Sequence, residues 1–97
     1  MTYRNRAYLN TAKDEPCIKC GRNDGTVVAA HYSGLGAYAL GKGMGTKVFD
    51  LATAHLCSRC HAEFDNYQDD NTIERSQEFL MLILRTLKKN VERGIKV

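Results

Sequence analysis

Four cysteines, three histidines and a few well-placed carboxylates are the chemistry this 97-residue chain has to offer. The cysteines stand as Cys17-Ile18-Lys19-Cys20 and Cys57-Ser58-Arg59-Cys60, two pairs of identical spacing that use every cysteine present. A two-residue gap lets both thiolates of a pair face one point. Two such pairs supply the four soft ligands that tetrahedral zinc prefers, and leave no open position for water, so that zinc would be structural. Two disulfides or a redox Cys-x-x-Cys are the competing uses. The matched pairs, in a chain that reads as intracellular, favour metal.

The histidines lie between or beside these pairs. His31 closes a β-rich segment at the edge of a glycine-rich stretch. His61 follows Cys60 directly, so on a helix it points about 100° away from that ligand and does not share its zinc. Asp65 lies four residues on and shares the face of His61. A histidine and a carboxylate so spaced can hold a harder ion such as Mg²⁺ or Mn²⁺, or form an ordinary surface ion pair. Asp50 can orient His31, join that cation site, or simply sit in a turn. His55 reads as a packed strand residue rather than a catalyst.

The elements that must position these groups follow from local pattern. Residues 1–16 lack periodicity and end in the turn signal Asp14-Glu15-Pro16, which predicts a basic arm. Its Tyr3, Arg4, Arg6 and Tyr8 interleave aromatic and cationic side chains, as an arm on nucleic acid would. Cys17–Gly21 is a knuckle, and Thr26–Tyr32 a strand. A glycine-rich loop follows, then a second strand over Val48–Leu56 that runs into Cys57. Ser58 to about Tyr67 is predicted helical, with a break at Asp69-Asp70-Asn71. Asn71 and Glu74 can form a capping box for a last helix over 71–93, ended by Gly94. Its expected buried stripe is Ile73, Leu80, Leu84, Leu87 and Val91. The expected fold is a small α+β, zinc-stapled treble-clef finger in one domain over 1–97: arm 1–16, core 17–67 and an additional C-terminal helix.

Composition bounds the rest. Hydrophobic residues make up 43% and charged residues 26%, which is globular rather than disordered. A core this small gains from a metal staple. The start of the chain has no apolar run of a signal peptide, and the longest apolar run, Phe79–Leu84, is too short to cross a bilayer. The expectation is a soluble cytoplasmic protein with no membrane partner. Net charge is +3, with basic residues at both ends and an acidic surplus over 47–70. That pattern suits a polyanion around a cation site, or plain solvated surface. The Phe79–Leu84 run is apolar nearly all round its helix, which suits a well-covered core helix or a homodimer through that helix.

Ala30-His31, the glycine loop with Gly45-Thr46-Lys47, Asp50-Leu51 and Leu56-Cys57-x-x-Cys60-His61-x-x-x-Asp65 resemble the HNH, or ββα-metal, endonucleases. They are most similar to the small YbcO-like nucleases of phages and prophages, over roughly residues 17–66. The resemblance implies a phage or prophage enzyme of a bacterial cell that hydrolyses DNA. In it His31 is the general base, His61 and Asp65 hold one catalytic Mg²⁺ or Mn²⁺, and Asp50 is a further site member. Ala30 departs from the pattern, since many members carry a metal ligand there. Asp50 stands in place of the usual asparagine, two residues farther from the cysteine, and Asp65 in place of a late histidine. Lys47, Arg59 and the basic ends are candidate phosphate contacts. The competing readings are a zinc-stabilised nucleic-acid-binding module without catalysis and a zinc-stapled protein-interaction domain.

Overall fold

The computed structural model describes residues 3–65 and 72–97. Its order is α1 (Arg6–Leu9) continued by a 3-10 turn over Asn10–Ala12, β1 (Val28–His31), a second 3-10 turn over Ala37–Leu40, β2 (Thr53–Leu56), α2 (Ser58–Asp65) and α3 (Thr72–Glu92). This is a small α+β arrangement in which an antiparallel β1–β2 hairpin backs onto the long last helix.

The hairpin pairs Val28 with Leu56, Ala29 with His55, Ala30 with Ala54 and His31 with Thr53. Every residue of β2 is buried, because α3 covers it. Phe79 of α3 is the hub of the core, edge-on to Tyr32 at 5.3 Å between centroids and against Phe64 of α2 at 4.7 Å. Helix α2 buries Cys60 and Phe64, four residues apart on one face. Its start is pinned by the Ser58 N–H, which donates to the Thr26 hydroxyl, itself bonded to Asp24.

Three expectations change. Residues 3–16 are not a loose arm: Asn5 caps α1 through its side chain, and Tyr8 is fully buried. Tyr8 is therefore unavailable to nucleic acid, and Arg4 is turned inward onto Asp50. The second strand begins only at Thr53, because residues 49–52 turn back on themselves through the Ala52 N–H to the Phe49 carbonyl, while Arg4 takes the carbonyls of Lys47 and Val48. Asp50 accordingly lies in a turn ahead of β2.

The third change concerns α3. Its buried residues are Ser76, Phe79, Leu82, Ile83, Thr86 and Asn90. The expected stripe of Ile73, Leu80, Leu84, Leu87 and Val91 instead lies largely at the surface. Several of these residues sit one position beyond a buried one, a rotation of about 100°. Polar residues on the packed face explain the shift. Ser76 accepts from the Leu35 N–H, Thr86 from the His55 N–H, and Asn90 donates to Thr11. The helix ends as expected at Gly94, whose φ of 80° permits the Schellman bonds Gly94 N–H to Val91 and Ile95 N–H to Asn90. The proposed capping box at Asn71, the break at Asp69–Asn71 and the end of α2 beyond Asp65 lie outside the described residues.

Candidate functional site

The knuckle Cys17–Gly21 is closed by the Gly21 N–H bonding the Cys17 carbonyl, with Gly21 at a φ of 78° that suits glycine. It docks on β2 through the Ile18 N–H to the His55 carbonyl. Cys57 follows β2 directly and Cys60 lies within the first turn of α2. The four sulfurs thus converge, all within 4.8 Å of one another, three of the residues buried and Cys20 exposed. Cys20 and Cys57 approach to 3.7 Å. A zinc tetrathiolate with bonds of ~2.3 Å has sulfur–sulfur edges of ~3.8 Å, so the donor set fits that ion. Burial pushes the Cys17 thiol upward, but backbone N–H groups of Cys20, Cys57 and Lys19 outweigh it and bring it to about 7. Burial and the other three sulfurs push Cys60 well up. A cation among them relieves that crowding of negative charge.

His31 lies at the end of β1 with its side chain 14% exposed. Its Nε2–H donates to Asp50 Oδ1 at 2.9 Å. The same oxygen accepts from Arg4 at 3.0 Å, and Oδ2 accepts the Asn5 N–H at 2.6 Å. Burial alone would raise the Asp50 carboxyl. The bonds from His31, Asn5 and Arg4 overcome it and hold the group below the usual carboxylate range. Asp50 is therefore an ionised, buried anchor for the imidazole. With Nε2 carrying the proton, Nδ1 is left with its lone pair, and it makes no hydrogen bond among the described residues.

His61 and Asp65 stand side by side on the half-exposed flank of α2, Nε2 to Oδ2 3.5 Å apart. Among the described residues the metal-capable sulfur cluster contains only the four cysteines, so His61 is separate from it. A hollow of about 190 Å³ is lined by His31, Ser33, Lys42, Lys47, His61 and Asp65, among others. The hairpin and α2 thus bring together three of the residues singled out in the sequence. Asp50 opens onto a neighbouring hollow, which His31, Lys47, Arg4 and Arg6 also line. Arg59 is placed elsewhere, extended on the surface near Glu63.

Sequence reasoning missed three members. Lys42 lines the first hollow and, like Lys47, is in no ion pair among the described residues; a lysine between glycines was its only signal. Ser33 has a buried hydroxyl with no partner there. Arg4 is the clamp on Asp50, and no local pattern links positions forty-six residues apart. His55 is fully buried as expected. Burial lowers its pKa to about 4, so it is neutral. Because the Thr11 hydroxyl donates to the Tyr8 carbonyl, His55 Nε2 is the donor in their 3.3 Å contact.

The architecture and the sulfur cluster define a small α+β domain with a four-cysteine cluster suited to a structural metal, carrying a histidine–carboxylate pair beside a basic hollow. The chain belongs to the family described as protein of unknown function (DUF968), whose model matches residues 1–94. No curated protein and no solved structure matches it. No helix among the described residues is long and apolar enough to cross a membrane.

Proposed function

We propose that the chain is a metal-dependent DNA endonuclease stapled by a structural zinc at Cys17, Cys20, Cys57 and Cys60. The observation that carries the reading is the shared hollow: an oriented imidazole lines the same space as a histidine–carboxylate pair, beside two lysines that form no ion pair among the described residues. Phosphodiester hydrolysis needs those parts together.

In this mechanism a water in the hollow gives a proton to His31 Nδ1 while its oxygen bonds to phosphorus. The bond from phosphorus to the leaving sugar oxygen breaks, that oxygen takes up a proton from solvent water, and the imidazolium later returns its proton to solvent. Asp50 holds the tautomer that leaves Nδ1 basic and stabilises the imidazolium as it forms. Lys42 and Lys47 offset phosphate charge, and Arg6 extends the basic track past the second hollow. Mg²⁺ or Mn²⁺ held by His61 and Asp65 would supply charge stabilisation on the phosphate and the leaving oxygen. None of these side chains forms a base-reading set, so substrate preference rests on DNA structure or backbone rather than on a defined sequence.

Nicking of supercoiled plasmid with and without Mg²⁺ or Mn²⁺ tests the reading. The zinc-loaded protein nicks only with the added cation. His31→Ala lowers the rate by ~10²–10⁴-fold, the usual worth of a placed base, with zinc content unchanged and the fold retained, while the melt drops because Asp50 loses one of its hydrogen-bond donors. His61→Ala also loses activity but recovers part of it at raised Mn²⁺. Wild-type cleavage by His31→Ala overturns the mechanism. A wild-type protein that binds DNA and never cuts it leaves a non-catalytic module instead.

A further inference from the structure

Helix α3 buries one face and exposes a second, apolar one, and the second has its own period. Ile73, Gln77, Leu80, Leu84, Leu87 and Val91 alternate at spacings of four, three, four, three and four. This is the 3.5-residue repeat of a coiled-coil seam, distinct from the wider stripe by which a helix packs on its own domain. The seam is open: Ile73 is 63% exposed, Leu84 58% and Val91 56%, with Met81 exposed beside it. It runs nearly the whole length of a 21-residue helix.

We propose that this seam joins two copies of the chain, α3 against α3, antiparallel about a two-fold axis between Leu80 and Leu84. The register follows from the seam itself. Setting Leu80 against the partner's Leu84 also sets Gln77 against the partner's Leu87 and Ile73 against the partner's Val91, so every layer closes at once. It also brings Glu74 beside the partner's Lys88 at each end, opposite charges flanking an apolar centre. Met81 meets the partner's Met81 near the axis. A parallel pair loses this match. Met81 and Lys88 would then face Ser76 and Ile83 of the other copy, which its own fold buries. The dimer is independent of whether the hollow cleaves DNA.

Sedimentation equilibrium of the zinc-loaded chain over ~0.1–100 μM should show a monomer passing to a dimer. Leu84→Glu should hold it monomeric with unchanged helicity and zinc content, since Leu84 is largely free of its own fold. Met81→Cys should oxidise to a covalent dimer, while Ile73→Cys, far from the axis, should not. A wild-type chain that stays monomeric throughout overturns the proposal and leaves the seam to a different protein. Cross-linking of Ile73→Cys but not Met81→Cys overturns the antiparallel register.

Discussion

At the scale of single residues, Asp50 carries more than its position in a turn announces. One carboxylate serves His31, Arg4 and the Asn5 N–H, so it orders the imidazole and ties the start of the chain to the hairpin. Asp50→Asn keeps the size but loses the charge. It is expected to destabilise the fold by about 1.5–3 kcal/mol at neutral pH, the range for hydrogen bonds to a charged group. The pH dependence has a definite sign. The folded carboxyl lies below its ordinary value, so its contribution is complete above the unfolded pKa of ~3.9 and is lost as pH falls through the folded one. Denaturant titrations of wild type and Asp50→Asn should therefore differ at pH 7, begin to approach one another below ~3.9, and converge only once pH has fallen through the lower folded value. A gap that persists in acid would assign the loss to packing rather than to charge.

Among the elements, the loop after β1 depends on one close approach. A Cβ on Gly34 would stand 2.5 Å from Ser76 Oγ and 2.7 Å from Tyr32 Oη. Neither neighbour can swing away freely: both are buried, Ser76 holds the Leu35 N–H, and the Tyr32 hydroxyl bonds the Leu35 carbonyl. Gly34→Ala should cost about 1–3 kcal/mol, as overpacking of a filled core does, and lower the melting temperature. An unchanged melt would show that α3 and the loop can part without penalty. Because Lys42 and Lys47 reach the hollow from this loop, the same contact helps set the geometry of the site.

For the molecule as a whole, the sulfur cluster connects what the short hairpin does not. It links the knuckle to the junction of β2 and α2, two segments between which the chain runs through both four-residue strands. A domain this small has little core to spare. Stripping the metal with a strong chelator should abolish cooperative unfolding and much of the helical circular dichroism, with zinc restoring both. Elemental analysis should find one zinc per chain. A metal-free protein that melts cooperatively at the same temperature would contradict a structural role for the cluster.

The sequence by itself determined the parts governed by short-range geometry. Cysteine spacing requires a pair of thiolates on a tight turn and another where strand meets helix. The β-branched run into His31 and the glycine at 94 mark where a strand and a helix stop. The face of His61 and Asp65 follows from a period of four. Tertiary structure alone decided the matters settled by polar partners far apart in the chain. Ser76, Thr86 and Asn90 look like surface residues until Leu35, His55 and Thr11 satisfy them, and that burial turns α3 by about 100° from its apparent stripe. Arg4 looks like part of a mobile arm until Asp50 and two carbonyls take its guanidinium. A buried polar group is stable only with its partner in place, and no local pattern names a partner that only the fold brings near.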